Sequence, residues 1–244
     1  MKTCKIVSVF FTLFFAPMAI AMAITMSPFE YGRQISADDS AEGVFASGVW
    51  HVFQSTTLSV YSDAGLYGPG YALFDFSSLT APITSASLSF QVGSRSNGLY
   101  DWPFPMSLND VNNIDALKPP AGWQTFMTED DYMESFFEVK TDLTSGVAYA
   151  QFLLPGYSQG TIMDVMLTSQ AVAAINACLG GIFAVGLGPG PETNGYDFPD
   201  EGAGVSFKNV QLNLNPVPEP GTLLLLGMGL MATGGFFHRK LKRP

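Results

Sequence analysis

His51 is the only histidine before the C-terminal segment, so any Ser-His-Asp or Cys-His mechanism would have to use it as its base. It lies between Trp50 and Val52-Phe53, the setting of a strand residue, and no Gly-x-Ser-x-Gly elbow is present to serve it. The histidine count excludes a histidine metal cluster. Carboxylates are plentiful, and a pair for glycoside hydrolysis is set by spatial rather than sequence proximity. Spacing singles out no such pair. The acidic clusters Glu129-Asp130-Asp131 and Asp197 with Asp200-Glu201 read as solvated loops; an oxygen-only calcium site is the alternative, without EF-hand spacing to mark it. No other cofactor or metal is expected. Among the tryptophans, Trp50 and Trp123 read as packed side chains. Trp102, in the loop-like Tyr100-Asp101-Trp102-Pro103, is the candidate glycan contact, because an exposed indole can stack on a sugar ring.

These residues sit in a strongly acidic stretch. Between residues 22 and 215 the only cations are Arg33, Arg95, Lys118, Lys140 and Lys208; set against twenty carboxylates they leave a net charge of −15. Such a surface repels phosphate backbones, which excludes nucleic acid as a partner and favours calcium or a neutral polymer.

The two ends have a different character. Met1-Lys2-Thr3-Cys4-Lys5, an apolar run from Ile6 to Phe15 and Ala19-Ile20-Ala21 describe a secretory signal peptide over residues 1–21. Pro17 breaks that run short of the roughly 20 apolar residues a spanning helix needs. Cys4 precedes the apolar run, so it is not a lipoprotein cysteine. It departs with the peptide, and Cys178 is left without an intrachain disulfide partner.

At the other end, Pro216-Val217-Pro218-Glu219-Pro220 is followed by an uncharged stretch from Gly221 to Phe237 and then by His238-Arg239-Lys240-Leu241-Lys242-Arg243. Alternate prolines favour an extended backbone. The uncharged stretch is at the lower length limit for a transmembrane helix, and the cations after it hold the C-terminus in the cytoplasm, which places the body outside the inner membrane. Residues 216–244 therefore read as a motif, a membrane helix and a basic stop.

The body, residues 22–215, reads as all-β. Ala86 to Val92 and Val210 to Leu214 alternate apolar and polar residues without fault. Further strands are expected at Val49 to Phe53, Leu58 to Tyr61, Ala72 to Phe76, Phe136 to Lys140, Ala148 to Leu154, Thr161 to Leu167 and Ile182 to Leu187. Turn signals separate them, and many short strands at this spacing predict a β-sandwich or jelly roll. One short helix is predicted, capped by Ser169, with Val172, Ile175, Cys178 and Leu179 as its apolar stripe and Gly180-Gly181 as its end. Cys178 reads as a small buried hydrophobe. A long surface loop is expected from Gly186 to Gly204.

The tail resembles that of the PEP-CTERM family in Val217-Pro218-Glu219-Pro220, the apolar run from Leu223 and the basic end from Arg239. The resemblance implies recognition of Pro218-Glu219-Pro220 by an exosortase, with Arg239, Lys240, Lys242 and Arg243 as the stop, during export in Gram-negative bacteria that produce exopolysaccharide. A second resemblance lies in Ala72-Leu73-Phe74-Asp75-Phe76-Ser77-Ser78-Leu79 with Ile83-Thr84-Ser85-Ala86-Ser87-Leu88. This is similar to a hairpin of bacterial extracellular β-sandwich domains related to carbohydrate-binding modules. Asn176-Ala177 and Gly180-Gly181-Ile182-Phe183-Ala184 are similar to segments that recur in PEP-CTERM bodies. Together these imply a non-catalytic cell-surface or matrix protein associated with exopolysaccharide or biofilm. The alternative is a small extracellular polysaccharide-active hydrolase.

Overall fold

The computed structural model describes residues 23–34, 52–55, 57–63, 66–96, 103–118, 129–156, 158–190 and 204–217. Its strands are β1 (Ile24–Met26), β2 (Glu30–Gln34), β3 (Val52–Ser55), β4 (Leu58–Asp63), β5 (Leu66–Gly68), β6 (Gly70–Asp75), β7 (Ile83–Ser96), β8 (Phe104–Asp110), β9 (Ala148–Leu154), β10 (Ile162–Met166), β11 (Ile182–Pro189) and β12 (Gly204–Pro216). Two α-helices, α1 (Glu129–Thr144) and α2 (Ser169–Ala177), and a 3-10 turn at Ile114–Leu117 complete the described elements.

The chain is mostly β. Sheet A runs β10-β7-β12-β4-β5, with β1 added beside the last residues of β12, and sheet B runs β3-β2-β6-β11-β8-β9. Neighbouring described strands pair antiparallel, as between β12 and β7 or β11 and β6. The alternation in β7 sends Ala86, Leu88, Phe90 and Val92 inward, and β12 does the same with Val210, Leu212 and Leu214. They meet Ala72, Phe74, Met106, Leu108, Phe183 and Val185 from sheet B in one core, which makes the body a two-sheet sandwich. Rings tie the layers together. Phe90 of β7 lies 4.8 Å from Phe207 and 5.5 Å from Phe152 of β9 across the sandwich, while Phe183 stacks between Phe76 at 5.5 Å and Tyr149 at 5.7 Å.

Four expectations need correction. Phe136 to Lys140 is not a strand but the middle of α1, a second helix beyond the single one predicted, and Glu129-Asp130-Asp131 opens that helix instead of forming a loop. Phe136, Val139 and Leu143 are spaced for one helical face and bury against Tyr71, Leu73 and Ala184 on the outer side of sheet B. This third layer explains why the central strands of sheet B are buried on both faces. Gly186 makes the approach possible: a Cβ there would stand 2.3 Å from the Leu143 carbonyl oxygen. Gly186 and Leu187 thus belong to β11 and Gly204 opens β12, so the loop expected from Gly186 to Gly204 was drawn too wide; residues 191–203 of it lie outside the described residues.

The third correction concerns the Ala72–Leu88 segment. β6 pairs with β2 and β11 in sheet B, whereas β7 pairs with β10 and β12 in sheet A, so the two strands form an arch between sheets and not a hairpin. Asp75 accepts the Ser77 N–H at 2.8 Å, Leu79 N–H bonds back to Phe76 O, and Leu79 is buried at the corner. Finally, α2 is capped by Thr168, whose Oγ1 accepts the Ala171 N–H, and not by Ser169. Ile175 of the expected stripe is buried, and Val172, Cys178 and Leu179 pack partly against the core. Gly180, at φ +80°, turns the chain out of α2 in a conformation that glycine adopts without cost. Unforeseen strands are β1, β2, β5 and β8.

Candidate functional site: the strand end that presents the tail

β12 is the longest-range organiser of sheet A, and its last residues are held on both sides. Ile24 to Met26 of β1 pair with Leu214 to Leu212, and Ser85 and Ile83 of β7 pair with Asn215 and Pro216. Side chains reinforce the ladder: Thr84 Oγ1 donates to Asn215 O at 2.9 Å, Asn215 Nδ2 to Ser85 Oγ at 2.9 Å, and Thr25 Oγ1 to Asn213 Oδ1 at 2.9 Å. Val217, 41% exposed, donates its N–H to Pro82 O at 2.7 Å and makes the last described bond of the fold.

The start of β7 is fixed in turn by α2. Asn176 accepts the Ile83 N–H through Oδ1 at 2.7 Å and donates through Nδ2 to Ile83 O at 2.9 Å, so one amide closes both backbone groups of a residue whose neighbour holds Val217. Sequence reasoning missed this role. The residue pattern gave only a polar position on a helix whose apolar stripe lay elsewhere, and nothing in the spacing ties it to Ile83.

Of the predicted motif, Val217 therefore emerges at the rim of the sandwich on a firmly paired strand. Pro218, Glu219, Pro220, Arg239, Lys240, Lys242 and Arg243 lie outside the described residues, as does the run from Gly221 to Phe237. So do Trp102, Trp50, Trp123, His51 and the Asp197–Glu201 cluster. No described helix is long and apolar enough to cross a membrane.

Elsewhere on the body, an open groove of about 710 Å³ separates α1 from the turn after β8. It gathers Glu134, Phe137, Glu138 and Asp142 from the helix, with Asn112 and Asn113 facing them. Asp142 is saturated: it accepts the Asn112 N–H at 2.9 Å, the Asn113 N–H at 3.0 Å and the Asn112 amide at 3.3 Å. All three carboxylates come from a single helix. Among the described residues none stands on the opposite wall, where an acid and base flanking a glycosidic bond would need one. Among the described residues no group of three or more His, Cys, Asp or Glu could hold a metal ion. Asp75 is fully exposed, and the Ser77 N–H and hydroxyl hold its carboxyl below the usual range, which accounts for it as a turn residue. Cys178 caps α2 half-buried, and burial pushes its thiol upward, away from the nucleophilic thiolate.

The described fold thus closes on a clamped last strand, and its final residues, Pro216 and Val217, open the C-terminal tail. Residues 216–240 match the PEP-CTERM protein-sorting motif, starting at the last residue of β12. The chain thus carries a PEP-CTERM protein-sorting motif, and that motif implies exosortase-dependent sorting of an exported surface protein. The match covers the tail alone. No curated protein matches the chain.

Proposed function

We propose that the chain is an exported cell-surface or extracellular-matrix protein whose β-sandwich body is non-catalytic and associates with exopolysaccharide. In this reading residues 1–21 are the signal peptide, 22–215 the body and 216–244 the sorting tail. Gly221 to Phe237 holds the unprocessed protein in the inner membrane, while Arg239, Lys240, Lys242 and Arg243 keep the end cytoplasmic. The exosortase-type enzyme recognises Val217, Pro218, Glu219 and Pro220 and separates the body from its anchor.

The observation that carries this reading is the coincidence of the two boundaries. β12 ends at Pro216, the family match begins there, and Val217 is exposed on a strand end fixed by β1, β7 and α2. A processing enzyme can then engage the tail without unfolding the core. The non-catalytic reading is supported by the groove, whose carboxylates share one helix, and by the structural accounts available for Asp75 and Cys178.

Replacing Pro218-Glu219-Pro220 by three alanines removes both the restricted backbone and the carboxylate. Full-length protein should then accumulate in the inner-membrane fraction on immunoblots of fractionated cells. Normal release of the triple variant would show that the motif is not what the processing enzyme reads. Co-purification of the wild-type protein with the cell's own exopolysaccharide checks the association.

A further inference from the structure

The groove beside α1 has features the sorting tail does not use. Phe137 lines it and is 48% exposed, which leaves an aromatic face open to a ligand. Its ring is not loose. It stands perpendicular to the buried Phe136 ring, 5.3 Å away at 88°, and Phe136 is anchored in the interior. Beside it, one helical turn apart, are Glu134 and Glu138; among the described residues neither has a partner, and no lysine or arginine lines the groove. The far wall is rigid because Asp142 holds Asn112 and Asn113 in place. The volume falls within the roughly 300–1,000 Å³ of ordinary ligand clefts.

From these features we infer that the groove beside Phe137 binds an amine-bearing sugar unit of a polysaccharide, with the pyranose face on the Phe137 ring and the ammonium group between Glu134 and Glu138. Charge complementarity selects the amine: two unpaired carboxylates beside an aromatic face attract a cation by ion pairing and by the ring quadrupole together. A sugar suits the site better than a basic peptide, since a helix and a turn offer no open strand edge for a peptide backbone to extend. The inference names the polymer class for the exopolysaccharide association proposed above. Its test uses purified protein, so its failure is distinguishable from a failure of sorting or of co-purification in cells.

Full-length protein in non-ionic detergent is titrated calorimetrically with short oligomers of glucosamine, N-acetylglucosamine and glucose, and with a lysine peptide of matched charge. The glucosamine oligomer should bind about tenfold or more tightly than the other three, and Phe137→Ala should weaken it by about tenfold without changing net charge. Glu138→Gln should weaken it several-fold, whereas Asp164→Asn, which removes an equal charge from an exposed site on β10, should not. Far-ultraviolet spectra matching the wild type show that the variants fold. Equal binding of acetylated and free-amine oligomers overturns the amine assignment, and equal or tighter binding of the lysine peptide overturns the sugar assignment. Binding insensitive to Phe137→Ala, or equally sensitive to Glu138→Gln and Asp164→Asn, is diffuse adhesion of a polycation to an acidic protein and overturns the site. So does absence of binding.

Discussion

Asn176 does more for the presentation of the tail than its position in the sequence suggests. Asn176→Ala leaves the Ile83 N–H and carbonyl without their partner in a half-buried setting, which should cost about 1–3 kcal/mol. The urea midpoint should fall with an unchanged slope. Asn176→Asp keeps the acceptor and loses the donor, so it should fall between wild type and alanine; a midpoint unmoved by either change would remove the clamp from the account. A second residue-scale expectation concerns Tyr149, nearly buried beside Phe183. Burial, with the nearby charges of Asp110 and Cys178 adding to it, pushes its phenol up to about 12. The folded pKa lies above the ordinary value near 10, so the native state holds this proton more tightly than the unfolded chain does. The contribution to stability is complete below about pH 10 and is lost as pH rises toward 12. Ultraviolet titration of phenolate should therefore show a late-ionising tyrosine that Tyr149→Phe removes. Tyr71 is also shifted upward, by burial and by its hydrogen bond to Glu30 at 2.8 Å, so the comparison must be made against that variant.

At the scale of elements, the seam between α1 and sheet B is the place where one substitution should have a distributed effect. A methyl group at Gly186 meets the Leu143 backbone, which cannot rotate away, so Gly186→Ala should destabilise by about 1–3 kcal/mol through overpacking. Hydrogen exchange should accelerate in α1 more than in β7, because the helix is the layer that must move. Leu143→Ala, which deletes a fully buried side chain from the same seam, should cost about 2–5 kcal/mol. These elements were unequally legible. β7 and β12 could be read directly because polar and apolar residues alternate along them, and Ser85, Ser89, Gln91, Gln211 and Asn213 mark the outward side. α1 was misread because Phe136-Phe137-Glu138-Val139-Lys140 also suits a strand over five residues; only Leu143, a turn further on, reveals the helical period. β8 was missed because Pro105 interrupts Phe104-Pro-Met106-Ser-Leu108 and because all but its last residue is buried, so no polar face marks it. The arch between β6 and β7 could not be told from a hairpin, since a short turn serves both and the choice is made by distant partners.

For the molecule as a whole, the candidate site was legible in outline: the motif, the apolar run and the basic end stand in order in the sequence, and the family match covers residues 216–240. What the sequence left hidden is that the body delivers this tail from a strand secured by β1, β7 and α2, and that a groove with an exposed phenylalanine lies on another helix. In the proposed function the sandwich and the tail part company during export at the segment immediately after β12. The most direct test is the intact mass of the protein recovered from the surface of wild-type cells. The recovered species should lack the signal peptide and everything from Gly221 onward. Recovery of surface protein that still carries Gly221 to Pro244 would contradict it and leave the tail a simple membrane anchor.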